Sequence, residues 1–268
     1  MAKTKKTRKA AGRTSTASTK AKPKRVMKKA STKRKLATAV AEPTVKAGDV
    51  LDLEPIIFHW LEVEIIGTAA LVTNRFSDAA MDTIMENQGS GGKKLKRPPR
   101  EPVSEFLQAA HICKGKPIAS YTEKNIYGFP AVALKKAMAN GNYRYGKAKD
   151  KVSQMGAFHV HGPWSGLIEI HDLRGRPCIP EMHGDYVKLP NGSASIAYRP
   201  YYFPWKMQVF IRYCPTLMSQ EELVHALYIA GNCIGIGSWR TEKTGDKGSF
   251  DIGDIKYHGD SFQPPLRA

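Results

Sequence analysis

Alternating apolar and polar positions mark two strands in this 268-residue chain. In the first, Leu61, Val63 and Ile65 alternate with glutamates. The second covers residues 205–213, where every other position is again apolar. Side chains two positions apart lie on the same face of a strand, so each segment predicts a strand with one buried face. The buried positions predicted for the second strand are Met207, Val209 and Ile211.

Apolar residues at helical spacing predict three helices in the first half of the chain. Ser77 is placed to cap the first, which Gly89 ends, and Pro102 suits the first turn of the second. Pro130 fits the first turn of the third, and Asn140-Gly141 is a typical helix end. The predicted apolar faces are Met81, Ile84 and Met85 in the first helix, Val103, Phe106, Leu107 and Ala110 in the second, and Val132, Leu134 and Met138 in the third.

A fourth helix is predicted in the segment SQEELVHALYIAG, residues 219–231. Ser219 and Glu222 have the spacing of a capping box, in which each side chain bonds to the backbone of the other residue. Gly231 is a natural C-terminal cap. The apolar stripe of this helix is Leu223, Ala226, Leu227 and Ala230.

The remaining segments complete an α+β pattern. Residues 157–172 predict a β-hairpin, residues 173–204 an irregular insertion, and residues 249–257 a closing strand. The element order predicts helices packed on an antiparallel sheet, with a ferredoxin-like βαββαβ core carrying helical and loop insertions as the best single topology. We expect one domain over residues 48–268, with a mobile basic loop at 88–101.

Charge is concentrated in the first forty residues. They contain 15 Lys or Arg and no Asp or Glu, so +15 of the net +18 lies there. The rest of the chain has 27 basic (42 − 15) and 24 acidic residues, a net of only +3. Because there is little to bury and like charges repel, residues 1–47 are predicted to be a disordered tail. Its clustered cations are Lys24, Arg25, Lys28, Lys29, Lys33, Arg34 and Lys35.

Such a tail is typical of sequence-independent contact with nucleic-acid phosphates. A solubilising or nuclear-targeting segment and a viral capsid arm have similar compositions. No apolar run reaches the ~20 residues of a membrane helix, and the basic N-terminus lacks the apolar core of a secretory signal. We therefore expect no membrane association, and a location in the cytoplasm of a bacterial host, or in the nucleus if the host is eukaryotic.

The four cysteines give no sign of a structural role. Cys113, Cys178, Cys214 and Cys233 are far apart and form no CxxC pair. The spacing predicts free thiols rather than a zinc site or a disulfide framework. We expect neither a metal nor a cofactor.

The stretch GIGSWRTEKTGDKGSF, residues 235–250, is the strongest candidate for a binding loop. It follows a predicted helix and precedes a predicted strand, whereas a P-loop does the reverse, and the GxGxxG fingerprint is absent. ATP and NAD are therefore not its expected ligands. Its glycine backbone and cations can line a sugar–phosphate backbone, and its indole can stack on a base or pack into the core. The candidate residues are Gly235, Gly237, Trp239, Arg240, Lys243 and Lys247; a flexible connector is the alternative.

Two further basic clusters differ in character. KKLKRPPR, residues 93–100, is a plain run of charge typical of a solvated loop. YRYGKAKDK, residues 143–151, interleaves aromatic and cationic side chains, which suits single-stranded nucleic acid. Its candidate residues are Tyr143, Arg144, Tyr145 and Lys147.

Three histidines are the weakest candidates. His159, His161 and His171 fall on one face of the predicted hairpin, which would allow acid–base or metal chemistry. Surface or hydrogen-bonded histidines are the alternative interpretation. No carboxylate has a spacing that completes a site, although Glu169 and Asp172 are close in sequence.

Three segments together resemble a family of tailed-phage proteins: IGTAALVTNRFS (66–77), YGFPAVALKKAM (127–138) and AGNCIGIGSWRTEKTGDKGSF (230–250). The resemblance covers residues 58–256, and GxGxWRxEK is its most specific motif. The second and third segments are more distantly similar to the RAMP superfamily of CRISPR effector subunits. That similarity implies a ferredoxin-like (RRM/RAMP-like) domain whose glycine loop contacts RNA, and subunits that stack along a strand. Pro130 lacks the Gly-Ser-Ser that usually follows it there, and no catalytic residue matches.

The combined expectation is a non-enzymatic protein that binds single-stranded RNA or DNA and forms homo-oligomers along the strand. The glycine loop and the basic-aromatic surfaces would contact the strand, and the tail would add affinity without reading sequence. A capsid or genome-packaging protein is one alternative, and an endoribonuclease using His159 or His161 is another.

Overall fold

The computed structural model describes residues 55–76, 78–89, 101–115, 125–188 and 192–267. The tail cations Lys24 to Lys35, the predicted cap Ser77 and the basic run 93–100 lie outside them. The fold is α+β with antiparallel sheets, as predicted. Its elements are β1 (His59–Gly67), β2 (Leu71–Val72), α1 (Asp78–Gly89), α2 (Pro102–Gln108), β3 (His111–Lys114), β4 (Ile126–Pro130), α3 (Ala131–Arg144), α4 (Lys151–Ala157), β5 (Phe158–His161), β6 (Leu167–Glu169), β7 (Glu181–Lys188), β8 (Ala194–Tyr202), β9 (Lys206–Tyr213), α5 (Gln220–Ile229) and β10 (Phe250–His258).

A four-stranded antiparallel sheet with strand order β10-β1-β9-β5 forms the centre of the fold. In its middle, Val63 of β1 faces Val209 of β9. Helices α3 and α5 contribute to the same core through side chains such as Leu134 and Leu227. The two alternating patterns are confirmed, because their predicted inward positions are all fully buried: Leu61, Val63, Ile65, Met207, Val209 and Ile211.

Two smaller sheets differ from the prediction. Segments 157–161 and 167–171 were predicted to form one hairpin, but β5 pairs with β9 while β6 pairs with β4, in separate sheets. The segment 173–204 was predicted to be irregular, yet it contains β7 and β8, which pair over eight positions beside β2. Its tyrosines favour strands, and Pro200 is accommodated opposite Met182.

Helix starts agree with the predictions better than helix ends. The Ser219–Glu222 capping box is present at α5, and Pro102 begins α2. Asn140-Gly141 does not end α3, which continues to Arg144. A Cβ on Gly141 would lie 2.7 Å from Cγ2 of Ile229, so this glycine allows two helices to pack closely.

Gly231 does not end α5 either. The chain continues through a turn of π-helix over Ala230–Ile234, and Gly235, at φ +73°, ends it. A Cβ on Gly231 would lie 2.1 Å from the carbonyl oxygen of Phe250, so the residue is needed for close approach to β10.

Helix α1 begins at Asp78 and ends at Gly89, as predicted, but its apolar face is not buried. Met81, Ile84 and Met85 are 43%, 46% and 60% exposed. Among the described residues, no helix combines the length and apolar character needed to cross a bilayer.

Candidate nucleic-acid interface

The glycine loop has a fixed shape because its backbone is bonded to the neighbouring strand. The amide of Ser238 donates to the carbonyl of Val72 at 2.8 Å, and that of Gly248 donates to Ala70 at 2.8 Å. Gly237 has φ +79°, and a Cβ there would lie 2.5 Å from the oxygen of Val72. The loop is therefore held against β2 rather than connecting α5 and β10 freely.

A groove with a volume of about 750 Å³ lies between this loop and helix α3. We call it the basic groove. Residues Gly235 to Ser238 form one wall, and residues of α3, with Pro130 just before it, form another. Among the described residues, five cations and one carboxylate line it, so its charge favours a polyanion. These charged residues are Lys136, Arg144, Lys151, Arg240, Lys243 and Glu242.

Glu242 connects the two walls of the basic groove. Its carboxylate is 2.8 Å from Nη2 of Arg144 and 2.9 Å from Nε of Arg240, and it also accepts a hydrogen bond from Asn140. The Glu242 side chain is only 5% exposed. Burial raises its pKa, but the hydrogen bonds and charges of Arg240, together with Asn140 and Arg144, outweigh this effect and lower the pKa. A single carboxylate thus orients two cations from segments distant in sequence.

The predicted cluster at residues 143–147 lies beside the groove, and only Arg144 lines it. Tyr143 and Tyr145 are 47% and 53% exposed. The ammonium of Lys151 lies 5.2 Å from the Tyr143 ring centroid, a cation–π contact at the groove edge. Lys147 is exposed. The exposed tyrosine rings are therefore available for stacking next to a cationic wall.

Trp239 and Lys247 lie outside the lining of the basic groove and contact β8. Cζ of Arg199 lies 5.7 Å from the Trp239 ring, and Nζ of Lys247 lies 5.9 Å from the Tyr201 ring. Burial lowers the pKa of Arg199, although Asp185 opposes that shift. The structure therefore divides the six predicted loop residues, because Gly235, Gly237, Arg240 and Lys243 line the groove and these two do not.

The three histidines do not form one site, because the hairpin predicted to hold them does not form. His159 and His161 lie on β5, whereas His171 lies beyond β6 and is 3.0 Å from Glu169. Within the described part of the chain, no group of three His, Cys, Asp or Glu side chains is arranged to hold a metal ion.

Sequence reasoning did not single out several groove residues. Lys136 lies in the segment 127–138 and Lys151 in the basic cluster 143–151, but only the fold places them beside the glycine loop. Glu242 is an ordinary acidic residue in a loop until Arg144 is known to reach it. His111 also lines the groove, and burial, with a smaller effect from Arg75, lowers its pKa to about 4. No local pattern signals the role of His111, and the GxGxWRxEK motif contains Glu242 without indicating its partner Arg144.

Neither protein-family models nor curated proteins give a match for this sequence.

Proposed function

We propose that this protein binds single-stranded nucleic acid in the basic groove and does not act by catalysis. The observation that carries the proposal is the composition of the groove, where the described lining residues include five cations, one carboxylate and the glycine segment that is hydrogen-bonded to Val72. Phosphates contribute the sequence-independent part of such binding. Glycine amides and cations of this kind can follow a sugar–phosphate backbone at close range.

A single strand fits the groove better than a duplex. Tyr143 and Tyr145 are exposed beside Arg144, and unpaired bases can stack on such rings whereas bases within a duplex cannot. The ring of Tyr143 is also in contact with the ammonium of Lys151. The strand would thus meet phosphate-binding and base-stacking groups on adjacent surfaces.

The proposal includes a ferredoxin-like βαββαβ core made of β1, α3, β5, β9, α5 and β10. Two features support it: the antiparallel strand order β10-β1-β9-β5, and helical crossovers between strands that are not neighbours, with α3 among the helices between β1 and β5 and α5 between β9 and β10. The glycine loop then lies between the last helix and the last strand. This is the position implied by the resemblance to RAMP proteins, so we also propose a relationship to them and to the tailed-phage family.

We also propose roles for the tail and for several copies of the chain on one strand. Residues 1–47 would add affinity that depends on salt and not on sequence. Copies of the chain would assemble along one strand in the cytoplasm of a bacterial host. A capsid or packaging protein would share the tail, but it would not need the basic groove.

The test compares two double variants of the full chain. Lys136→Gln/Lys243→Gln removes two exposed groove cations that make no ion pair among the described residues. Lys114→Gln/Arg174→Gln removes two exposed cations that do not line the groove. Binding of a labelled single-stranded oligonucleotide would be measured by anisotropy at several salt concentrations, with a duplex of the same sequence alongside.

We expect the groove variant to bind the single strand at least tenfold more weakly. Its slope of log K against log salt should also decrease by about 1.4, because two phosphate contacts are lost at about 0.7 each. The matched variant should behave like the unaltered chain. Equal losses in both variants would show that overall charge, including the tail, accounts for binding, and the groove proposal would then be wrong.

A further inference from the structure

A second, smaller cavity of about 240 Å³ lies at the β5 edge of the four-stranded sheet. We call it the edge cavity. Its charged or titratable lining residues are Lys135 from α3, His159 from β5 and Arg212 from β9. Among the described residues that line it, none is acidic. Three basic groups from three separate elements therefore converge on one small space.

The fold forces these groups together although their charges repel. His159 and Arg212 are direct cross-strand partners in the β5–β9 ladder, an arrangement that destabilises a sheet when both side chains are cationic. The pKa of His159 is lowered by burial, then by the charges of Lys135, Arg212 and His161. Burial also lowers the pKa of Lys135. The three basic groups therefore do not stabilise one another electrostatically.

Among the described residues, two other cations on the same sheet are paired with carboxylates, unlike Lys135 and Arg212. Lys206 is 3.1 Å from Glu64, and Lys256 is 3.3 Å from Glu62. Within the described part of the chain, Lys135 and Arg212 form no ion pair. Their charged groups instead lie over phenyl rings, Lys135 at 5.9 Å from the centroid of Phe158 and Arg212 at 4.6 Å from that of Phe58. Rings hold the cations in place but leave their charge uncompensated.

We propose that the edge cavity is a phosphate-binding site formed by Lys135, His159 and Arg212. A guanidinium presents paired N–H donors that match two phosphate oxygens, and an ammonium adds a point charge beside them. The imidazole supplies a further donor on the same strand edge. A bound phosphate group would neutralise the repulsion that the fold imposes on these three residues.

The phosphate could belong to a nucleic acid or be a free ion. Met155 lines both the edge cavity and the basic groove, so the two spaces adjoin. In the nucleic-acid case, which rests on the proposed function, a strand leaving the groove would place one phosphate in the edge cavity. The site's chemistry is the same in both cases.

The imidazole of His159 provides a local readout on the full chain. Residues 1–58 contain no histidine, so phosphate bound by the tail produces no histidine signal of its own. Inorganic phosphate would be titrated at constant ionic strength and pH while the His159 ring signals are followed by NMR. The signals would be assigned with His159→Gln. Variants Lys135→Gln and Arg212→Gln would be compared with Lys114→Gln, which removes an exposed cation that lines neither the edge cavity nor the basic groove.

We expect a saturable shift of the His159 signals, about tenfold weaker binding in Lys135→Gln and Arg212→Gln, and unchanged binding in Lys114→Gln. Thermal unfolding without phosphate would establish that each variant is folded. A shift that does not saturate, or one that Lys135→Gln and Arg212→Gln leave unchanged, would overturn the proposal.

Oligonucleotides identify the source of the phosphate. A shift only with a 5′-phosphorylated strand would assign a terminal phosphate, and a shift with the 5′-hydroxyl strand as well would assign an internal one. If inorganic phosphate alone shifts His159, the ligand is the free ion. That last result would leave the edge cavity established even if the basic groove proves not to bind nucleic acid.

Discussion

Nη2 of Arg144 lies 2.8 Å from the carboxylate of Glu242 and so joins the end of α3 to the glycine loop. Half of the Arg144 side chain is exposed, whereas that of Glu242 is almost wholly buried. The buried carboxylate also holds Arg240. One acidic side chain therefore sets the positions of two groove cations.

Glu242→Gln should lower the free energy of unfolding by about 2 kcal/mol at neutral pH, because the amide has no charge to pair with Arg144 and Arg240 and its NH2 group cannot accept a hydrogen bond from either. Denaturant unfolding would measure the change. Glu86→Gln, at an exposed position on α1, is the control and should have no measurable effect.

We also expect the stability difference between the unaltered chain and Glu242→Gln to depend on pH. The folded-state pKa of Glu242 is below its ordinary value of 4.5, so the ionised form favours folding. This stabilisation is complete above the unfolded-state pKa and is lost as the pH falls through the lowered folded-state value. The stability difference between the unaltered chain and Glu242→Gln should hence be constant above about pH 6 and shrink below about pH 4. A difference that grows as the pH falls below 4.5 would contradict this explanation.

His111 should give a second, separate pH effect. Its pKa is about 4 in the folded chain against 6.5 ordinarily, so the unfolded chain binds more protons between these values. Stability should therefore fall as the pH decreases from 6.5 to about 4, by up to about 3 kcal/mol. NMR titration of the His111 ring should give a midpoint near 4. In His111→Gln this part of the pH dependence should be absent.

Gly231→Ala should destabilise the chain by about 3 kcal/mol, since the new methyl would meet the backbone oxygen of Phe250 at 2.1 Å. Gly156→Ala is the matched control. Gly156 lies in α4, where a new methyl group would have no neighbour within 4 Å, and alanine there should stabilise by about 0.5 kcal/mol. Thermal unfolding of both variants would measure the difference. Equal effects would show that helix propensity, and not the contact with β10, determines the cost.

The features that were predicted correctly are those that short segments of sequence determine. The Ser219–Glu222 capping box and the buried alternation of β1 and β9 depend on residues a few positions apart, so the sequence suffices. The ends of α3 and α5 were predicted wrongly because a glycine can either cap a helix or allow close packing within it. At 141 and 231 it permits close packing within a helical segment, and only the tertiary neighbours distinguish that use from a cap.

The site depends still more on long-range contacts. Strands β5 and β6 are close in sequence, which predicted that they pair with each other. In the structure β5 pairs with β9 and β6 pairs with β4, and no local pattern indicates these pairings. The same holds for Glu242, whose partner Arg144 lies in another element. The residue types of the glycine loop predicted a surface that binds a sugar–phosphate backbone. Which of these residues line the basic groove depends on how β2 holds the loop.

Tyr143 provides a test of base stacking at the groove edge. Tyr143→Ala should weaken binding of a single-stranded oligonucleotide about tenfold, because one base loses its stacking partner, whereas Tyr143→Phe should keep most of the affinity. Tyr228→Ala removes a ring that is 55% exposed on α5 and does not line the groove, so it should bind normally. Anisotropy would give the affinities. Since Lys151 lies over the Tyr143 ring, the salt dependence must be compared too. A changed slope in Tyr143→Ala would mean that the ring acts by placing Lys151 near a phosphate, whereas an unchanged slope with weaker binding indicates stacking.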